Sequence, residues 1–87
     1  MQISHIYYHP QFRKSFSDLP EGLQNIAKVK IILFKNNPFD ISLKTHKLHG
    51  KLKNQWSFTI KGQYRIIFIF DKVDAIFLDI GPHDIYK

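Results

Sequence analysis

The sequence predicts an α+β domain with element order β-α-α-β-β-β: an N-terminal strand, a two-helix hairpin, then a three-stranded antiparallel meander forming one sheet. Three observations carry this reading. Between positions 12 and 34, apolar residues recur at helical spacing in two blocks that meet at Pro20. From Trp56 onward the spacing changes to alternation and then to a nearly unbroken apolar run. Turn signals at Gly62 and Gln63 and at residues 71–74 bound that run. The 87 residues, 1–87, leave room for one domain and a modest core.

Residues 3–8 are rich in β-formers and make the first strand, which His9 and Pro10 break. In residues 11–19, Phe12, Phe16 and Leu19 fall on one face of a short helix. Asp18 is suited to cap a second helix, with Pro20 in its first turn, running to about residue 35. Leu23, Ile26, Ala27, Ile31 and Phe34 form the apolar stripe of that helix, widened by Val29, Ile32 and Leu33. Asn36, Asn37 and Pro38 stop it. Residues 39–53 read as a basic linker without a period, with a turn at Gly50. Trp56, Phe58 and Ile60 alternate with Ser57, Thr59 and Lys61, as in a half-buried strand. Residues 64–70 suit a central strand buried on both faces, and residues 75–80 form the last strand.

Composition narrows the function. The chain contains no cysteine, which removes thiolate nucleophiles, disulfides and zinc-finger ligand sets. No leader-like segment opens it, and no apolar run approaches about 18 residues, so a cytoplasmic protein with no membrane partner is expected. The formal net charge is +6. No acidic residue stands between Asp40 and Asp71, a window holding Lys44, Lys47, Lys51, Lys53, Lys61, Arg65, His46 and His49. A surface for a polyanion is the expectation.

Arg65 interrupts the most apolar strand, so it must pair internally, with Asp79 or Asp84, or serve as a fork for a phosphate. Its face depends on register. A strict two-residue turn at Gly62 and Gln63 sets Ile60 opposite Arg65, on the side of Trp56 and Phe58, whereas a longer turn or a bulge reverses this. After the last strand come His83, whose imidazole titrates near neutrality, and Tyr86, a phenol able to stack or donate. His46, His49, His83 and Asp84 match no metal-ligand spacing, and no phosphate-cradling glycine loop, nucleophile elbow or paired carboxylates occur.

From Leu48 onward the chain resembles the RelE/ParE superfamily of type II toxins, in its RelE/YafQ-like branch. "LHG" at 48–50 is similar to the family's Leu-x-Gly, and "GQYRIIF" at 62–68 looks like its Gly-x-Tyr-Arg hairpin entry. An apolar last strand ends in Ile80 and Gly81, and "HDIY" at 83–86 resembles its terminal basic-x-x-Tyr element. With the helical hairpin, the resemblance covers essentially the full chain.

The resemblance implies a ribosome-dependent endoribonuclease that cleaves translated mRNA without metal or cofactor, by attack of a ribose 2′-OH on the adjacent phosphate. It implies Arg65, His83, His46 and Tyr86 as catalytic residues, with Lys47, Lys51, Lys53, Lys61 and Tyr64 binding RNA. The implied partners are a cognate antitoxin, in a hetero-oligomer, and the ribosome with its mRNA. The sequence departs from the pattern at Thr59, where YafQ-like toxins carry a histidine, and at Gln63, where they carry an aspartate. Trp56 and Phe58 replace lysines of RelE-like members. The alternatives are a ParE-like inhibitor of DNA gyrase and a catalytically inactive RNA- or protein-binding member.

Overall fold

The structure, a computed structural model, describes residues 1–50 and 54–82, so the expectations for Lys51, Lys53, His83 and Tyr86 lie outside the described residues. In chain order come β1 (Ile6–Tyr8), α1 (Pro10–Ser17), α2 (Glu21–Asn36), a 3-10 turn (Ile41–Leu43), β2 (His46–Lys47), β3 (Trp56–Lys61), β4 (Tyr64–Asp71) and β5 (Asp74–Gly81). The strands form one sheet in the order β1-β5-β4-β3-β2. β1 runs parallel to β5, and every other pair is antiparallel. The expected α+β architecture and meander are therefore present. Among the described residues no helix is long and apolar enough to cross a membrane.

The helical hairpin is capped differently from the sequence expectation. His9 is the N-cap of α1, its Nδ1 accepting from the Gln11 amide at 3.0 Å, and Pro10 occupies the first helical position. Asp18 does not cap α2. It ends α1, and its carboxylate lies 3.3 Å from Lys14 Nζ, one helical turn back. Pro20 precedes α2 without a side-chain cap. The Gln24 carboxamide joins the two helices, donating to the Phe16 carbonyl at 2.9 Å, which also accepts from the Leu19 amide, and to the Leu19 carbonyl at 3.1 Å.

The core lies between the hairpin and one face of the sheet. Phe34 of α2 sits at its centre, with ring centroids 4.7 Å from Phe58, 4.8 Å from Phe68 and 5.4 Å from Phe77. Phe12, Ala27, Ile66 and Ile80 close around it. The apolar stripe of α2 is wider than the face it buries: Val29 and Ile32 are 65 % and 64 % exposed.

The basic linker contains structure too short to show a period. Asp40 Oδ1 accepts from the Ser42 amide and hydroxyl and starts the 3-10 turn, which sends Leu43 into the core. These bonds hold the Asp40 carboxyl below its ordinary range. The chain then adds β2 to the edge of β3. Gly50, at φ 76°, turns it away after the buried Leu48, a backbone conformation glycine adopts without strain.

Candidate nucleic-acid interface

One irregularity decides where Arg65 points. Gly62 and Gln63 form the β3–β4 turn, but the register passes from Lys61 opposite Tyr64 to Thr59 opposite Arg65. Ile60 is the extra residue of a bulge. Of the two registers open in the sequence, the bulged one is present. Trp56 and Phe58 pair with Phe68 and Ile66 on the helix-covered face. Arg65 therefore alternates onto the opposite, open face, with Ser57 and Thr59 of β3 beside it. Gly81 lies across from it on β5.

Arg65 is half-buried, and its Nη1 donates to Thr59 Oγ1 at 2.5 Å. Its Nε is buried with no hydrogen-bond partner among the described residues. Among the described residues no carboxylate lies within ion-pair distance of the guanidinium; the two ion pairs present are His5 with Asp74 and Lys14 with Asp18. Asp79, one of the two internal partners considered, stands on the same face but accepts from the Ile80 amide at 2.9 Å instead. The other, Asp84, lies outside the described residues. The open face thus carries a fixed positive charge that no described carboxylate neutralises, and an unsatisfied charged donor favours an anion.

His46 reaches this face from the sheet edge, where it pairs with Ser57. Its Nδ1 lies 2.9 Å from the Lys44 carbonyl oxygen. A carbonyl only accepts, so Nδ1 carries the hydrogen, and the neutral ring keeps its lone pair on Nε2. His46 is exposed, so that lone pair is available to a proton donor from solvent or ligand. Ser57 between them is fully buried, 0 % exposed, and its Oγ has no partner among the described residues.

The other sequence-predicted residues divide between faces. Lys47 pairs with Trp56 and so takes the helix side of the edge. Lys61 and Tyr64 pair at the hairpin end and border a shallow basin with Leu23 and Pro82. The alternation of the strands brings Arg65 and His46 to one face and separates both from Lys47, Lys61 and Tyr64. Ser57 and Thr59 escaped sequence reasoning as site residues. Thr59 was visible only as a departure from a family histidine, and the bulge that sets it opposite Arg65 has no local sequence signal.

The sequence matches no family model and no curated protein. Solved structures do resemble it. A chain of the E. coli DinJ-YafQ toxin-antitoxin complex superposes with a TM-score of 0.78 at 21 % identity, over 100 % of both chains. A chain of the RelBE2 toxin-antitoxin complex from Mycobacterium tuberculosis gives 0.77 at 18 % identity, over 97 % of both. The RelB-RelE antitoxin-toxin complex from Methanococcus jannaschii gives 0.71 at 19 % identity, over 87 % of this chain and 88 % of that one. The chain therefore shares its fold with these toxin-antitoxin chains, the α+β fold that the sequence predicted.

Proposed function

We propose that this chain is the toxin of a toxin-antitoxin pair and acts as a ribosome-dependent endoribonuclease on translated mRNA. The observation that carries the reading is Arg65: an arginine on an open sheet face, held by a neutral hydroxyl and matched by no described carboxylate. The fold, shared with chains of the DinJ-YafQ and RelB-RelE complexes, supports the toxin assignment and a cognate antitoxin as partner. An acidic antitoxin segment complements a chain of net charge +6.

In this reading the 2′-hydroxyl oxygen of a ribose attacks the adjacent phosphorus. The new O2′–P bond forms as the P–O5′ bond breaks, leaving a 2′,3′-cyclic phosphate and a 5′-hydroxyl end. The 2′-OH proton needs an acceptor, and the Nε2 lone pair of His46 is the described candidate. Arg65 stabilises the negative charge gathering on the phosphoryl oxygens. A proton must also reach the departing 5′-oxygen, the role the family resemblance gives to His83, with Tyr86 orienting a base. Lys47, Lys51, Lys53, Lys61 and Tyr64 serve in this reading to hold the RNA backbone and ribosome, the four lysine contacts being electrostatic and therefore salt-sensitive.

The test is cleavage of a defined mRNA on purified, programmed 70S ribosomes. Cleavage by the parent, reduced about 10²-fold or more in Arg65→Ala at unchanged folding, is expected. Equal cleavage by the two proteins removes Arg65 from the mechanism, and no cleavage by either removes the nuclease reading.

A further inference from the structure

We infer that Thr59 is the positioning residue of the anion site: its hydroxyl aims the Arg65 guanidinium while leaving its charge unspent. This inference rests on the proposal that Arg65 binds a phosphate of RNA, and deepens it. An arginine rising from the middle of a sheet has several rotamers, and an ordered one needs a partner. A carboxylate is the usual partner, yet it would neutralise the charge an incoming phosphate requires. Thr59 solves this with a neutral acceptor, its Oγ1 receiving the Nη1 hydrogen of Arg65.

Three features of the chain converge on this contact. The bulge at Ile60 makes Thr59 the direct cross-strand neighbour of Arg65, at the distance where a β-branched hydroxyl meets a guanidinium. Thr59 is itself half-buried in a strand, so the β-branched side chain is restricted at χ1 and its hydroxyl is held in place. The bond also uses only one end of the fork. With Nη1 engaged and Nε buried, no described residue bonds Nη2, which leaves that end of the guanidinium to an anion. Gly81 across the sheet adds no side chain on the far flank of Arg65.

The test compares Thr59→Val, which keeps shape and removes the hydroxyl, with Thr59→Ser, which keeps the hydroxyl. A short single-stranded oligoribonucleotide is titrated into each full-length protein, and affinity is read by anisotropy beside the parent and Arg65→Ala. Cleavage on programmed ribosomes is then split into kcat and KM. Thr59→Val is expected to bind about 5- to 10-fold more weakly, the order of one net hydrogen bond, and to lose kcat. Thr59→Ser is expected to return both to within about 2-fold of the parent. Because a merely structural threonine affects melting rather than affinity, the melting temperature of each variant is measured as well. Unchanged affinity and kcat in Thr59→Val, or failure of Thr59→Ser to restore them in a fully folded protein, overturns the positioning role. If Arg65→Ala itself binds and cleaves like the parent, the phosphate reading of Arg65 fails instead, and the positioning role falls with it.

Discussion

Replacing Phe34 by alanine tests whether the core is organised as described. The ring is fully buried and packs on Phe58, Phe68 and Phe77 at centroid separations of 4.7, 4.8 and 5.4 Å. Phe→Ala at such a site costs about 3–5 kcal/mol, the lost transfer energy plus the cavity. The three ring contacts, at about 0.5–1.5 kcal/mol each, argue for the upper half of that range. At about 0.05–0.15 kcal/mol per residue, a chain of this length has a total stability of about 4–13 kcal/mol. The substitution therefore removes about a quarter of the stability at the least. Urea unfolding followed by fluorescence of the single tryptophan measures it. Trp56 packs on Phe39 and Phe70 rather than on Phe34, so its signal reports global unfolding. With a slope of about 1–1.5 kcal/mol per M, the midpoint falls by roughly 3 M, or the native baseline disappears. Phe34→Leu, which refills much of the space, costs about 1–2 kcal/mol. A Phe34→Ala protein within about 1 kcal/mol of the parent refutes the central placement of this ring.

Gln24→Ala uncaps the end of α1 and is expected to cost about 1–2 kcal/mol in thermal unfolding; a change below about 0.3 kcal/mol would show the carbonyls well solvated without it. Lys72 sits at φ 59° in the β4–β5 turn, a conformation costly for a side chain with a Cβ, so Lys72→Gly is expected to stabilise by up to about 1 kcal/mol; a lower melting temperature contradicts the assignment of that turn. Stability also has two pH limbs. Burial raises the Tyr8 hydroxyl above its ordinary value, more than Arg13 lowers it, so the stabilisation is present below about pH 10 and is lost as pH rises through the folded value. The hydrogen bonds from Ser42 lower Asp40, whose contribution is present above its ordinary value and is lost as pH falls through the folded one. Tyr8→Phe should flatten the alkaline limb and Asp40→Asn the acid limb in urea titrations across pH; limbs identical to the parent's refute both assignments.

The long elements were legible because they repeat a period often enough to show it. The 16 residues of α2 contain four turns, β3 alternates, and β4 is a nearly unbroken apolar run, so all three were readable from apolar spacing. The 3-10 turn and β2 are three and two residues long and carry no period. Asp18 was a reasonable cap for α2 by residue type, but Lys14 one turn back competes for its carboxylate, and local chemistry cannot rank the two. Val29 and Ile32 joined the apolar stripe in sequence because hydropathy counts residues, whereas burial depends on how far around α2 the sheet extends. For the site, Arg65 was legible as an oddity, a charge in an apolar run. Its face was not, because a single inserted residue, Ile60, inverts the relation between the turn and the alternation.

The most direct test of the central claim is to map mRNA ends by primer extension in cells after brief induction of this chain without an antitoxin. The account predicts new ends within translated codons, absent when Arg65→Ala is induced to the same level. Growth arrest without such ends contradicts the nuclease reading and turns attention to gyrase, and ends that persist in Arg65→Ala contradict the site.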